Sequence, residues 1–308
     1  MARMGRMERK EARDFYILIF PWLIVFIFLG LYPLLYGLYL SFTNYMGFNI
    51  DHLKWIGMRN YRHVFTDSDA MYSLGRSFYV GSINVVVSTV VSFFIAVLLN
   101  QKFKGVGFFR ALYYLPSILP ITGIGLMWKY IFSTNGGLLN SFLELFGIHA
   151  VNWLGYDYAT TSLFILLAWG CGGGIIIYLA GLKGIPNDLY EAAAIDGAGP
   201  LQRFRKVTVP LMTPVIFFNF VFAIIGSLQI FAQAQMLSPT ASSGGLLSIP
   251  LRPNYLYLIH AFQQIFAFQR YGYGLAMLWV LFLLTIVLTL AVFGTSRYWV
   301  HYESNSER

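Results

Sequence analysis

Long apolar runs alternate with short polar connections along this 308-residue chain. Each run approaches or exceeds the roughly 20 residues of helix that cross the hydrocarbon core of a bilayer. Because lipid offers the backbone no hydrogen-bond partners, such a run folds as a helix that satisfies its own N–H and C=O groups. The pattern predicts an all-α, polytopic membrane protein whose six transmembrane helices lie at about 15–40, 77–99, 108–132, 161–182, 211–237 and 273–295.

The composition excludes a water-soluble fold. Charged residues make up 11% of the chain and hydrophobic residues 57%, whereas soluble domains carry about 25% charged residues. When the connections are assigned to alternate sides, 14 of the 21 Lys and Arg residues fall on one side. By the positive-inside rule that side is cytoplasmic. Both termini are therefore predicted to be cytoplasmic, with residues 1–14 as a basic N-terminal segment and 15–308 as the transmembrane domain. The net charge of +8 then reflects orientation in the membrane, not nucleic-acid binding.

The connection 183–210 carries charge between two apolar spans. Pro186 is expected to end the preceding helix. Asp188 lies three residues before Glu191, which is the spacing of a capping box, so we expect a short helix to begin there. This helix should stop at Gly197, and a second short basic helix should end at Pro210. The sequence therefore predicts a helix, a break and a helix at the cytoplasmic surface.

The same connection resembles the EAA loop of ABC (ATP-binding cassette) importer permeases. That motif reads E-A-A, three residues, Gly, nine residues, aliphatic-x-aliphatic-Pro. The matching positions here are Glu191, Ala192, Ala193, Gly197, Val207, Val209 and Pro210. The longer form E-A-A-x-x-D-G-A is similar to that of the carbohydrate-uptake branch, the binding-protein-dependent sugar permeases related to MalF. The resemblance extends along nearly the whole chain and departs from the branch in the outer loop 238–254.

The resemblance implies a permease subunit that imports a sugar, an oligosaccharide or a related polyol across the cytoplasmic (inner) membrane. Its implied partners are a second permease, homologous or identical, two ABC ATPase subunits, an extracytoplasmic solute-binding protein and membrane lipid. ATP and Mg would be bound by the ATPase. This chain would be no enzyme and would hold no cofactor, since it has no G-x-x-x-x-G-K-[ST] phosphate loop. The implied ATPase contact comprises Glu191, Ala192, Ala193, Ile195, Asp196, Gly197 and Ala198. Glu191 has a second possible role, as part of the helix cap.

Neutral polar residues mark a candidate substrate pathway. In the fifth span, Asn219, Gly226, Gln229 and Gln233 share one stripe at about 100° per residue, and Ser227 borders it. Such groups need partners in hydrocarbon. Two interpretations stay open: interhelical hydrogen bonds, or recognition of substrate hydroxyls in a cavity. The glycine-rich segment 170–174 likewise indicates either close helix packing or room for a substrate beside Trp169 and Gly173.

The remaining patterns bear on alternative functions. The only cysteine is Cys171, and the five histidines have no partners at metal-ligand spacing, so we expect no metal site. Apolar residues at helical spacing in 255–266, with His260, Gln263 and Gln264 between them, predict a helix in the outer interface. The alternative function is a stand-alone secondary carrier or channel for a small neutral polar solute. Such a carrier would require an ionisable residue inside a span, and the span interiors carry none.

Overall fold

The computed structural model describes residues 6–47, 53–238 and 248–301. The first five residues of the predicted N-terminal segment and the central part of the outer loop, 239–247, lie outside the described residues. The helices are α1 (Arg6–Val25), α2 (Tyr32–Ser41), α3 (Arg59–Thr66), α4 (Ser68–Leu99), α5 (Val106–Ile118), α6 (Ile121–Ile131), α7 (Leu138–Glu144), α8 (Ala159–Trp169), α9 (Gly172–Gly184), α10 (Asn187–Ile195), α11 (Pro200–Arg203), α12 (Val209–Leu228), α13 (Ala232–Met236), α14 (Tyr257–Phe266) and α15 (Tyr271–Trp299).

Among the described residues, five helical stretches are long and apolar enough to cross a membrane, and a bent pair raises the number to six. The five are Arg13–Ser41, Ser68–Leu99, Ala159–Gly184, Pro200–Leu228 and Tyr271–Trp299. Within the described ranges the only β-type pairing is an isolated bridge between Thr43 and Trp55. The all-α membrane fold is therefore confirmed.

The third apolar run is not one helix. Helices α5 and α6 meet at an angle of 107°, so the segment of the predicted span at 108–132 is a pair of helices joined at a sharp bend. The cause lies at Pro120. A residue before proline is driven out of the helical region, and Leu119 is extended with ψ 141°.

Two π-helical segments, Phe26–Leu31 and Phe204–Thr208, each end two residues before a proline. The prolines are Pro33 and Pro210. A proline ring clashes with the carbonyl four residues earlier in an α-helix, and in both cases that carbonyl belongs to the wider π segment. The helix consequently continues through Pro210 from Pro200 to Leu228. The prediction that the second basic helix ends at Pro210 was wrong for this reason.

The chain forms two compact units. In the first, which contains 6–47, 53–66 and 264–280, the side chain of Asn60 donates 2.8 Å hydrogen bonds to the carbonyls of Ser41 and Thr43. Gly272 packs against the carbonyl of Thr43 in this unit, and the contact leaves no room for a Cβ on residue 272. These contacts explain why the connection after α2 carries asparagine and why α15 begins with a glycine in its first turn.

The second unit contains 67–238, 248–263 and 281–301, and α4 runs through it. One apolar cluster packs around Val80, Leu163 and Leu166 in the first half of α4 and in α8. A second cluster packs near the end of α4 and comprises Phe93, Ala96, Leu99, Ile175, Tyr178, Leu179, Leu182, Ile185 and Met212. We call this second group the basal cluster. It joins α4, α9 and α12.

Two further expectations are corrected by the structure. The fifth apolar run is interrupted, because α12 ends at Leu228 and α13 begins only at Ala232. Helix α14 is present as predicted, but its polar residues do not form the water-exposed face that an interfacial helix carries. Its polar residues His260, Gln263 and Gln264 are at most 5% exposed, so they face protein rather than the membrane surface.

Candidate coupling elbow and translocation cavity

Residues 187–203, which we call the elbow, form a short helix, a turn and the start of a long helix. Helix α10 begins at Asn187, directly after the extended residue Pro186, and no side chain caps it. The predicted capping box of Asp188 and Glu191 was therefore wrong. Asp188 lies in the first turn instead, where its charge still interacts favourably with the free N–H groups of the helix.

Helix α10 ends in a Schellman motif at Gly197. The amide of Ala198 donates to the carbonyl of Ala193 at 2.9 Å, and the amide of Gly197 donates to the carbonyl of Ala194 at 3.1 Å. This motif requires a left-handed residue, and Gly197 has φ +79°. A Cβ at Gly197 would meet no atom within 4 Å. Glycine is thus needed for its backbone conformation and not for space.

One side of the elbow is anchored in the helices. Tyr190 of the elbow, and Phe204 and Val207 just after it, pack on the basal cluster, and the hydroxyls of Tyr190 and Thr208 lie 3.0 Å apart at hydrogen-bond distance. Because the basal cluster joins α4, α9 and α12, a displacement of the elbow must move these three helices or disrupt their packing.

The other side of the elbow is uncovered. No residue of α10 is buried, and the apolar side chains of Ile195 and Leu201 are 87% and 77% exposed. Glu191 forms no ion pair with any described residue of the chain. Of the predicted ATPase-contact residues, five are exposed and two, Ala193 and Ala198, are half-buried; the exposed ones are Glu191, Ala192, Ile195, Asp196 and Gly197.

A cavity of about 350 Å³ lies between α4, α8 and α12. Four of the seven predicted pathway residues line it: Trp169, Gly226, Ser227 and Gln233. Trp169 comes from the end of α8, and Gln233 comes from α13. The interruption after Leu228 brings Gln233 to this position.

Two polar residues of the cavity were not selected from the sequence. Asn84 and Ser88, one helical turn apart on α4, line it as well. The side-chain amide of Asn84 donates to the hydroxyl of Ser227 at 2.8 Å. The four-residue spacing of these polar groups within an apolar span could have indicated them in the sequence, because residues four apart share one face of a helix.

The other three predicted pathway residues do not line this cavity. Asn219 is buried and donates to the carbonyl of Val215 in its own helix at 3.1 Å. Gln229 is exposed and follows the end of α12, and Gly173 is exposed on α9. The predicted stripe assumed one continuous helix, which the structure does not have.

A buried polar network lies at the start of α4. Asp67 caps this helix by accepting from the amides of Asp69 and Ala70 at 2.9 and 3.3 Å, and its other carboxylate oxygen lies 3.5 Å from Nε2 of His260. Since a carboxylate only accepts, the neutral His260 ring carries its proton on Nε2, and Nδ1 accepts from the Tyr255 hydroxyl at 2.7 Å. Burial lowers the pKa of His260 and Asp67 opposes this effect, whereas burial raises the pKa of Tyr255 to about 12.

The segment 252–254 is tied to this network and to the helices beside it. Arg252 pairs with Asp69 at 2.8 Å, and Arg76 donates two hydrogen bonds to the carbonyl of Pro253 at 2.6 and 2.9 Å. Asn254 donates to the carbonyl of Ala159 at 2.8 Å. We call the group formed by Asp67, Asp69, Arg76, Arg252–Asn254, Tyr255 and His260 the clasp.

In the part of the chain that the structure describes, no three His, Cys, Asp or Glu side chains gather as a metal site.

Comparison with known proteins identifies the family of the chain. Residues 88–300 match the family described as the inner membrane component of binding-protein-dependent transport systems. The chain belongs to this family. The permease is therefore a multi-pass transport subunit of the cytoplasmic membrane and not an enzyme, as the EAA-like spacing predicted.

Similar proteins cover nearly the whole permease. It is 38% identical to the probable ABC transporter permease protein YesP of Bacillus subtilis, over 99% of the permease and 97% of that protein. It is 29% identical to the trehalose/maltose transport system permease protein MalF of Thermococcus litoralis, over 96% and 97%. A bacterial ABC transporter that imports the acidic polysaccharide alginate contains a chain of the same fold, with a TM-score of 0.81, 21% identity, and 95% and 99% coverage.

Proposed function

We propose that the permease provides the transmembrane pathway for a sugar, an oligosaccharide or a related polyol in an ATP-driven, binding-protein-dependent importer. The proposed complex contains a second permease, two ATPase subunits that bind ATP and Mg, and an extracytoplasmic binding protein. The termini and the elbow face the cytoplasm in this arrangement. The named sugar relative and the chemistry of the cavity support this substrate class.

The cavity suits a neutral, hydroxyl-rich solute. Its polar groups include the amides of Asn84 and Gln233 and the hydroxyls of Ser88 and Ser227, which donate and accept hydrogen bonds as sugar hydroxyls do. Trp169 adds an aromatic face. As the structure describes it, the lining contains no Asp, Glu, Lys, Arg or His, so nothing there would hold an ion by charge.

The elbow provides the coupling to ATP. We assign its uncovered face, centred on Ile195, to the ATPase surface. The observation that carries this proposal is the continuous helix Pro200–Leu228, which begins in the elbow and ends at the cavity. Its rise from Pro200 to Ser227 is about 40 Å. Closure of the ATPase pair would displace the elbow, and this rigid helix would transmit the displacement to Gly226 and Ser227.

Replacing Ile195 with Glu tests the coupling surface. A charge at the centre of an apolar contact cannot be desolvated without a partner, so we expect I195E to lose the ATPase subunits on co-purification while membrane insertion is unchanged. The matched control is N187E, which adds the same charge at an exposed polar position of the elbow. Retention of the ATPase by I195E to the wild-type level would refute the coupling proposal.

Replacing Gln233 with Leu tests the pathway in proteoliposomes that contain the complete complex and its binding protein. Loss of a hydrogen bond to the solute costs about 1 kcal/mol, so we expect roughly fivefold slower ATP-dependent uptake of a labelled oligosaccharide. The control is Q229L, which makes the same change outside the cavity. Equal loss in both variants would exclude the cavity as the pathway. Uptake that persists without ATP would favour the secondary carrier.

A further inference from the structure

A second cavity, of about 450 Å³, forms a groove between α5 and α9. It is separate from the translocation cavity described above. Its wall is mostly aliphatic and aromatic, and two cations stand at one end. The residues that define it are Arg110, Tyr113, Gly172, Ile176, Ala180 and Lys183.

The groove is closed at one end and open at the other. At the closed end, Gly172 lies so near the carbonyl oxygen of Tyr113 that a Cβ would collide with it, so the two backbones touch. At the open end stand Arg110 and Lys183. From Gly172 to Lys183 helix α9 rises about 16 Å, which is half of the hydrocarbon thickness of about 30 Å. The groove therefore has the depth of one lipid leaflet.

The two cations at the open end are not neutralised by any described residue. Arg110 donates one hydrogen bond, to the carbonyl of Leu99 at 2.7 Å, and its Nε is buried without a partner. Lys183 is exposed in the last turn of α9. Among the described residues, no carboxylate pairs with either cation. Buried donors of this kind are normally satisfied, so an external anion is expected here.

We propose that this groove binds one anionic phospholipid, with its phosphate between Arg110 and Lys183 and one acyl chain along Ile176 and Ala180. Cations at the depth of the headgroups attract anionic lipids. The apolar wall, which is as deep as one lipid leaflet, favours a lipid over free phosphate. Inorganic phosphate has no acyl chain and would leave this wall without apolar contacts. The paired cations argue against a second protein helix, which would need carboxylates in register with both.

The charge requirement is tested on the purified full-length permease with its partner subunits. Phosphatidylglycerol and, separately, phosphatidylcholine are titrated in detergent, and bound lipid is counted by native mass spectrometry. One cation near an anionic headgroup raises the affinity for the lipid about fivefold, and two cations raise it about thirtyfold. We therefore expect R110Q/K183Q to bind phosphatidylglycerol about thirtyfold more weakly. The control K102Q/K104Q removes two exposed charges from the adjacent connection and should bind as the wild type does.

The shape requirement is tested by filling the groove. A180W should weaken the binding of both lipids, whereas I177W, on the same helix but outside the groove, should not. If R110Q/K183Q does not fold, K183Q alone carries the charge test with a loss of about fivefold.

Three results would overturn the proposal: wild-type binding of phosphatidylglycerol by K183Q and A180W, displacement of the lipid by inorganic phosphate, or loss of the second permease from A180W with lipid binding intact. None of these readouts depends on transport, so failure of the lipid site and failure of the proposed function are distinguishable.

Discussion

The elbow and the clasp lie at opposite ends of α4 and invert the usual relation between polarity and burial. In the elbow, the apolar side chains of Ile195 and Leu201 are exposed. In the clasp, His260 is only 3% exposed and contacts Asp67 and Tyr255. Apolar groups remain outside where another protein can cover them, and polar groups go inside where the chain supplies their partners.

This difference separates two consequences of mutation. The clasp is held by hydrogen bonds and ion pairs within the permease, so damage there should lower the stability of the permease itself. The elbow is held on one side by the basal cluster and is uncovered on the other. Damage to its uncovered side should leave the permease folded and weaken its assembly with the ATPase.

The largest expected effect on assembly concerns Gly197. A side chain in the left-handed conformation costs about 1–3 kcal/mol, and a β-branched residue tolerates it least. We expect G197V to turn the elbow away from its orientation and to weaken ATPase binding roughly tenfold or more, measured by the affinity of the purified subunits.

The control for this prediction is G199V. Gly199 is extended, with φ −68° and ψ 169°, and a Cβ there meets no atom within 4 Å. G199V should bind the ATPase as the wild type does. Equal binding by G197V and G199V would mean that the turn does not set the contact.

An effect on the stability of the permease, and not on its assembly, is expected for Arg76. R76Q removes the charged hydrogen bonds to the Pro253 carbonyl, and we expect a loss of about 2 to 3 kcal/mol in the free energy of unfolding. ATPase binding should be unchanged at temperatures where the variant is folded. The comparison variant R252Q breaks a pair whose side chains are 45% and 50% exposed, which should cost about 1 kcal/mol. A larger loss in R252Q would show that the exposed pair, and not Arg76, holds the clasp.

The smallest effect is the pH dependence of the clasp. Because burial lowers the pKa of His260 in the folded protein, the neutral ring is favoured there. Its contribution is fully present above the unfolded value of about 6.5 and is lost as the pH falls through the lowered pKa. We expect the melting temperature of the permease to decrease below pH 6.5, and less so in H260Q. Asp67, Asp69 and Arg252 also face this site, and parallel pH profiles for the two proteins would show that His260 is not the group responsible.

The sequence by itself determined the class of fold and the position of the elbow. Apolar runs of bilayer length have few alternatives to helices, and a glycine at fixed spacing after an Ala-rich helix marks a left-handed turn. Gly197 met this expectation. The predicted helix start was wrong, because the helix begins at Asn187, directly after the extended Pro186, and not at a capping box of Asp188 and Glu191.

The tertiary structure alone decided which polar residues meet. Asn84 and Ser227 are far apart in sequence and become neighbours only because α4 packs against α12. Gln233 reaches the cavity through a helix break that no periodicity indicated. His260 is buried because Asp67 and Tyr255 satisfy its ring, and a side chain's helical position cannot reveal partners that other segments supply. Local patterns fix what a segment can form, whereas burial depends on what packs beside it.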